Sequence, residues 1–280
     1  MWLLHFLGMY PAYHVFGSFE DLTESLLGID DTSPEFNKLL CGFDHALKQS
    51  DRMVYQLTRQ AAEMGLDDII IKLPEKEVIP ALEQTDTGKK FLEQFRQFLR
   101  TRGWILPKVE LYGPLAAPWV EDPTPVITHM KQFYAKGEGY SPDEDLKAIL
   151  EEKETVAADL LARVPAEQRD WFKLLLELAP KAAGYSPNHN FYMDHHSIAL
   201  IRRVYKECGK RFAAHGAIDD PEDIFFLVAP EVEHGIVSPW MFNYRHIATR
   251  RRQEWEENCK KTPAPFYGKL TPEEAIPLIS

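Results

Sequence analysis

"FLEQFRQFL", residues 91–99, sets Phe91, Phe95 and Phe98 or Leu99 three or four positions apart. That interval matches the α-helix, whose turn of about 3.6 residues stacks such positions on one face. The intervening Glu, Gln and Arg fall on the other side, so the stretch reads as a helix burying one apolar stripe. "WFKLLLELA", residues 171–179, repeats the pattern, and its spacing places Trp171, Leu174, Leu175 and Leu178 together. Strand alternation is scarce. "DDIIIKL" at 67–73 and "IFFLV" at 224–228 are short and apolar enough for either state.

The punctuation around these stretches is also helical. Ser-Pro occurs at 33–34, 141–142, 186–187 and 238–239, each time ahead of a helix-periodic run. Serine suits the N-cap, where its oxygen accepts an orphan N–H, and proline suits the first helical position, where no N–H is needed. Four helix starts are therefore predicted. Ser141 with Glu144 has the capping-box spacing, and Asp122-Pro123 offers the same start with another acceptor. Gly28, Gly65, Gly103, Gly137, Gly184 and Gly216 fall where the patterns end, as C-terminal caps do. The expected fold is all-α: a large irregular helical domain, 1–280, with little or no strand. A proline-rich connection over 104–125 suggests subdomains 1–120 and 121–280.

Length and composition agree with this. A chain of 280 residues that is 45% hydrophobic can bury a full core. Cys41, Cys208 and Cys259 are odd in number and widely spaced, which suggests neither a disulfide framework nor a zinc site and fits a reducing cytoplasm. The apolar start "MWLLHFLGMYPAYHVF" lacks a basic leader and is interrupted by Pro11 short of the roughly 20 residues a membrane span needs. It reads as core, and no membrane association is expected. Lys and Arg number 32 against 43 Asp and Glu, a net charge of -11 that argues against nucleic-acid binding. The one basic run, "RHIATRRRQ" at 245–253, reads as a solvated helix face. Neither a GxxxxGK[ST] loop nor a GxGxxG turn nor a GxSxG elbow is present, so no nucleotide cofactor is expected on this chain.

"SPNHNFYMDHHSIALIRR", 186–203, concentrates what chemistry the sequence offers. On a regular helix His189, His196 and Arg203 share one face, and Asp194 or His195, Ile198, Arg202 and Tyr205 share another. Imidazole can take a hydroxyl proton, carboxylate can orient it and arginine can hold phosphate, so the ingredients suit hydroxyl activation. From spacing alone, capping and salt-bridging of a half-exposed helix is the simpler reading of the same residues. Adjacent His195 and His196, and the "EVEHG" of 231–235, lack metal-ligand spacing, and no metal is expected. Near the N-terminus Trp2, His5, Tyr10, Tyr13 and His14 read as an aromatic pocket with polar handles or as ordinary core.

Two stretches carry a family resemblance. Residues 91–127, "FLEQFRQFLRTRGW" through "PWVEDPTPVI", are similar to the "P.W.EDP..V" segment of the phosphoenolpyruvate-synthase-like phosphotransferases. Residues 190–232, closing in "DDPEDIFFLVAPEV", resemble the segment that follows it there. "WLLHFLGMYPAY" and "HNFYMD" lean toward the branch containing phenylphosphate synthases more than toward rifampin phosphotransferase. In that family an ATP-grasp domain uses ATP and Mg2+, a swivelling domain carries phosphate on a histidine in a TGGxxSH-like motif, and a helical domain receives the acceptor.

The resemblance implies the helical part alone, since the chain holds no TGG and no Ser-His. None of its ten histidines corresponds to the phosphohistidine. It implies that His189 and Asp194 face the cleft and that Arg202 and Arg203 match a family stretch. With the spacing and the N-terminal aromatic set, the catalytic candidates are His189, Asp194 and His196, and the expected acceptor or phosphate contacts are His5, Tyr10, Trp104, Arg202 and Arg203. Trp104 stands close to where the family has an arginine. The expected function is an acceptor-binding domain or subunit for an aromatic hydroxyl, inactive alone and partnered by the ATP-grasp and swivelling domains. The rival is a non-catalytic subunit that binds a small aromatic ligand or scaffolds such a complex.

Overall fold

The stripe at 91–99 builds the first core. The computed structural model describes residues 2–107, 116–137 and 139–262, with side chains from Met9 onward. Among these residues the chain is helical throughout, without a strand: α1 (Trp2–Leu27), α2 (Pro34–Leu39), α3 (Ala46–Glu63), α4 (Asp67–Lys72), α5 (Glu75–Leu82), α6 (Asp86–Arg102), α7 (Thr124–Ala135), α8 (Pro142–Arg163), α9 (Arg169–His189), α10 (His196–Ala214), α11 (Ala229–Val237) and α12 (Arg245–Cys259). Both ambiguous stretches resolve as helix: 67–73 as α4, and 224–228 mostly within a 3-10 segment, Pro221–Phe226.

Two compact units are present, 1–200 and 201–280, and they part inside α10 rather than near residue 120. The proline-rich connection lies within the first unit, where α6 before it and α7 after it feed one core. Phe91, Phe95 and Phe98 of α6 meet Val126, Ile127 and Met130 of α7 there, with Val54 and Leu57 of α3. Each such side chain taken from water contributes about 1.5–3 kcal/mol. A second core in this unit joins α1, α2, α8 and α9: Phe19 stacks on Phe36 at 5.5 Å and meets Phe172 at 5.7 Å.

That contact corrects the expected face of α9. The buried stripe is Phe172, Leu175 and Ala179, while Trp171 and Leu174 remain exposed. Two overlapping apolar faces were available in "WFKLLLELA", and packing on α1 selected the one carrying Phe172. The N-terminal run is likewise only partly core, because Tyr10 and Tyr13 are exposed. α1 passes through Pro11 without ending, and no helix among the described residues is long and apolar enough to cross a membrane.

The caps are mixed. Ser141 accepts the Glu144 N–H at 3.5 Å and opens α8, and Asp122 accepts the Thr124 N–H at 3.0 Å where α7 begins. Pro34 begins α2, although Ser33 makes no side-chain cap, and Ser238-Pro239 opens only a 3-10 turn, Pro239–Met241. Gly28, Gly65, Gly137 and Gly216 stop α1, α3, α7 and α10 with φ of 68°, 68°, 85° and 75°. Gly184 and Ser186-Pro187, expected to mark a stop and a start, lie inside α9.

The second unit packs Phe212, Ile218, Ile224, Val232 and Tyr244 together. Its basic run is more than a solvated face. Arg251 holds Glu231 through two bonds of 2.6 and 3.0 Å, and Arg252 pairs with Asp223 and lies 4.8 Å over Phe226.

Candidate functional site

Proline in a helix interior removes one N–H and crowds the carbonyl four residues back, so the ladder must adjust nearby. Two residues after Pro187, α9 gives way to a π segment, Asn190–His195, and α10 follows directly. A π turn inserts extra backbone into a helix and re-aims the side chains that follow it.

The consequence is a pairing that a regular helix does not make. Residues five apart sit roughly 140° apart around an α-helix, whereas in the widened i→i+5 turn they come together. His189 is buried, and its Nδ1 lies 3.5 Å from Asp194 Oδ2. The Tyr185 ring, one turn earlier, lies 6.1 Å from the His189 ring. The expected face of His189, His196 and Arg203 is thereby replaced. His196 instead meets Trp104, ring to ring at 4.9 Å.

His195 does another job. It is buried, its Nδ1 accepts the Leu106 N–H at 3.0 Å, and burial lowers its pKa although Asp194 pulls the other way. The imidazole is thus neutral with its proton on Nε2, and it ties the segment after α6 to the π turn. Arg102 lies 5.1 Å over Phe191, and Asn188 Oδ1 accepts the Ala46 N–H at 2.8 Å at the start of α3. These contacts hold the turn from both sides.

The remaining expected residues fall elsewhere. Tyr10 is exposed, with its ring 4.4 Å from that of His14, and the side chain of His5 lies outside the described side chains. Arg202 and Arg203 belong to the second unit. There Arg202 is buried, bonded to Glu222 at 3.0 Å and 4.7 Å over Phe225, and Arg203 is exposed. Among the described residues no three His, Cys, Asp or Glu side chains gather as a metal-holding group.

Sequence reasoning passed over a second polar assembly in the first unit. Lys48, Asp51 and Arg52 of α3 face His129 and Phe133 of α7, and Lys136 at its C-cap, across a half-open cavity bordered by the start of α8. Its signal was present as Lys48, Asp51 and Arg52 at i, i+3 and i+4 of α3 and as His129, Gln132 and Lys136 at i, i+3 and i+7 along α7 and its cap, but such spacing also describes any solvated face.

The class of this all-helical domain comes from its relatives. Residues 6–186 match the family model described as the rifampicin phosphotransferase fourth domain, and the chain belongs to this family of PEP-utilising phosphotransferases. The match ends just before His189. The chain is 27% identical to chondramide synthase cmdD of Chondromyces crocatus over 99% of its own length and 7% of that protein's. It is 24% identical to the uncharacterized phosphotransferase YvkC of Bacillus subtilis (strain 168), over 96% of its own length and 32% of that protein's. The chain therefore spans a third or less of the relatives it matches.

Proposed function

We propose that this domain receives the acceptor in an ATP-dependent phosphotransferase that passes phosphate through a histidine on a partner domain to an aromatic hydroxyl. ATP and Mg2+ belong to an ATP-grasp partner, and the phosphohistidine to a swivelling one. The His189–Asp194 approach on the π turn carries this reading, because it supplies a base and its orienter in a buried place beside the aromatic ring of Tyr185. The sequence likeness to the branch containing phenylphosphate synthases supports the phenolic acceptor.

With Nδ1 turned to Asp194, Nε2 is the nitrogen that takes the acceptor's proton. The freed oxygen forms its bond to phosphorus as the P–N bond to the partner's histidine breaks, and that imidazole leaves with the bonding pair. Little covalent work falls to the receiving domain. Its contribution is position and exclusion of water.

In the intact multidomain enzyme, His189→Ala lowers turnover by roughly 100-fold or more with little change in acceptor affinity, the usual weight of a positioned proton transfer. Asp194→Asn keeps the shape, disturbs the imidazole's orientation and lowers turnover by a smaller factor. Turnover and thermal stability are measured on the same preparations. Normal turnover per folded molecule in both variants rules this role out.

A further inference from the structure

α3, α7 and the first turns of α8 flank a half-open cavity of about 400 Å³ in the first unit, a size that suits a small organic molecule. One wall is apolar. The Phe133 and Tyr140 rings are nearly parallel, 22° apart with centroids at 6.1 Å, and Ile149 of α8 stands among the lining residues. Tyr140 is fixed by the Tyr55 hydroxyl, which donates to its carbonyl at 2.8 Å. A planar ring finds a ready stacking surface here.

The lining also carries the charged Lys48, Asp51, Arg52, Lys136 and Asp145, of which only Arg52 has an ion pair among the described residues. Arg52 is occupied by Asp44 and serves as frame. Lys136 Nζ lies 4.0 Å from the Tyr140 ring centroid, which holds a cation over the aromatic wall. Among the described residues, Lys48 and Asp51 make no side-chain hydrogen bond or ion pair within 4.0 Å. Asp51 is open to the cavity, yet the protein crowding round it raises its pKa, against the pull of His129, Lys48 and Lys136 in that order. A carboxylate so placed gains from a hydroxyl donor, and the two lysines, which pull on Asp51 without an ion pair within 4.0 Å among the described residues, gain from an anion.

We propose that this cavity binds a small hydroxylated aromatic acid. Its ring lies against Phe133 and Tyr140, its carboxylate between Lys48 and Lys136, and its hydroxyl donates to Asp51. A plain phenol leaves both lysines unanswered, and a plain benzoate offers Asp51 no donor. The inference goes beyond the phosphotransferase reading, since it concerns occupancy of the cavity and needs no transfer of phosphate.

The test is calorimetric titration of the 280-residue chain with 4-hydroxybenzoate, phenol and benzoate, with circular dichroism verifying the fold of each variant. 4-Hydroxybenzoate binds saturably at one site, and each of the other two binds about tenfold more weakly, the loss of one charge-assisted contact. Lys48→Met and Asp51→Asn each weaken 4-hydroxybenzoate about tenfold for the same reason. Ile149→Trp, at a position 37% exposed where a larger ring need not enter the core, blocks binding. Should Asp51→Asn fail to fold, the other two variants carry the test. The proposal is overturned if none of the three compounds binds saturably up to about 10 mM, far weaker than a built site provides. It is equally overturned if folded variants keep the parent's affinity.

Discussion

His195 shows how one residue can matter for a reason its neighbours in sequence do not announce. Its Nδ1 is the acceptor for the buried Leu106 N–H, and burial favours the neutral ring. Unfolded, the same ring titrates near its ordinary value of 6.5. The folded state therefore binds its proton less readily than the unfolded state. The stability from neutral His195 is complete above that value and is lost as pH falls through the lowered folded pKa. His195→Ala strands the Leu106 N–H and costs about 1–3 kcal/mol. His195→Asn places Oδ1 where Nδ1 was, keeps most of that stability and flattens the decline on the acid side, below about pH 6.5. Urea unfolding of the three proteins across that range reads both effects, and identical free energies and slopes would remove the weight given to this bond. At this scale the sequence was only partly legible. His189 and Asp194 stood out as types, but their pairing depends on a π turn that no spacing rule announces, and His195's partner is 89 positions away.

Among the elements, α6 was readable because its apolar residues allow one face only, and Phe91, Phe95 and Phe98 are all buried. α9 departs from its sequence pattern in its buried face, at Gly184 and at Ser186-Pro187, the first two for identifiable physical reasons. Its double apolar face left the choice to α1, and its Gly184 serves contact rather than termination, since a Cβ there would come within 3.0 Å of Phe43. Gly209 makes the same point more strongly in the second unit. It lies inside α10, where alanine ordinarily favours a helix by about 1 kcal/mol over glycine. Here a Cβ would stand 2.1 Å from the Pro221 carbonyl oxygen and 3.1 Å from Ile224 Cγ2. The backbone of the 3-10 segment 221–226 has to retreat, so Gly209→Ala destabilises by about 1–3 kcal/mol or more despite the helix preference. Gly17 of α1 is the control, because a Cβ there meets nothing within 4 Å. Gly17→Ala leaves stability unchanged or raises it by up to about 1 kcal/mol. Thermal unfolding of the pair separates close approach from propensity, and equal melting temperatures would contradict the packing argument.

For the whole molecule, helical class followed from periodicity repeated along the chain, whereas the parting into units did not. A proline-rich connection suggests a hinge, yet "PWVEDP" supplies Trp119, which packs against Phe98 at 6.2 Å within the first core. Long-range packing, absent from any local window, decides where contacts thin out. The same global view bears on phosphate chemistry. The chain has a net charge of -11, no nucleotide loop in its sequence and no TGG or Ser-His motif, so under the proposed function both the donor and the carrier must be supplied from outside these 280 residues. Incubated alone with γ-labelled ATP, or with labelled phosphoenolpyruvate, the chain is expected to release no inorganic phosphate above buffer and to acquire no acid-labile label. Phosphohistidine survives alkali and is lost in acid, so parallel quenches separate it from phosphoserine or adventitious label. The same chain mixed with ATP-grasp and swivelling domains of a relative, and given an aromatic hydroxyl, should restore label to the acceptor while remaining unlabelled itself. Acid-labile label on this chain in the absence of partners would place the carrier histidine here, among side chains read as receiving the acceptor, and would break the assignment at its root.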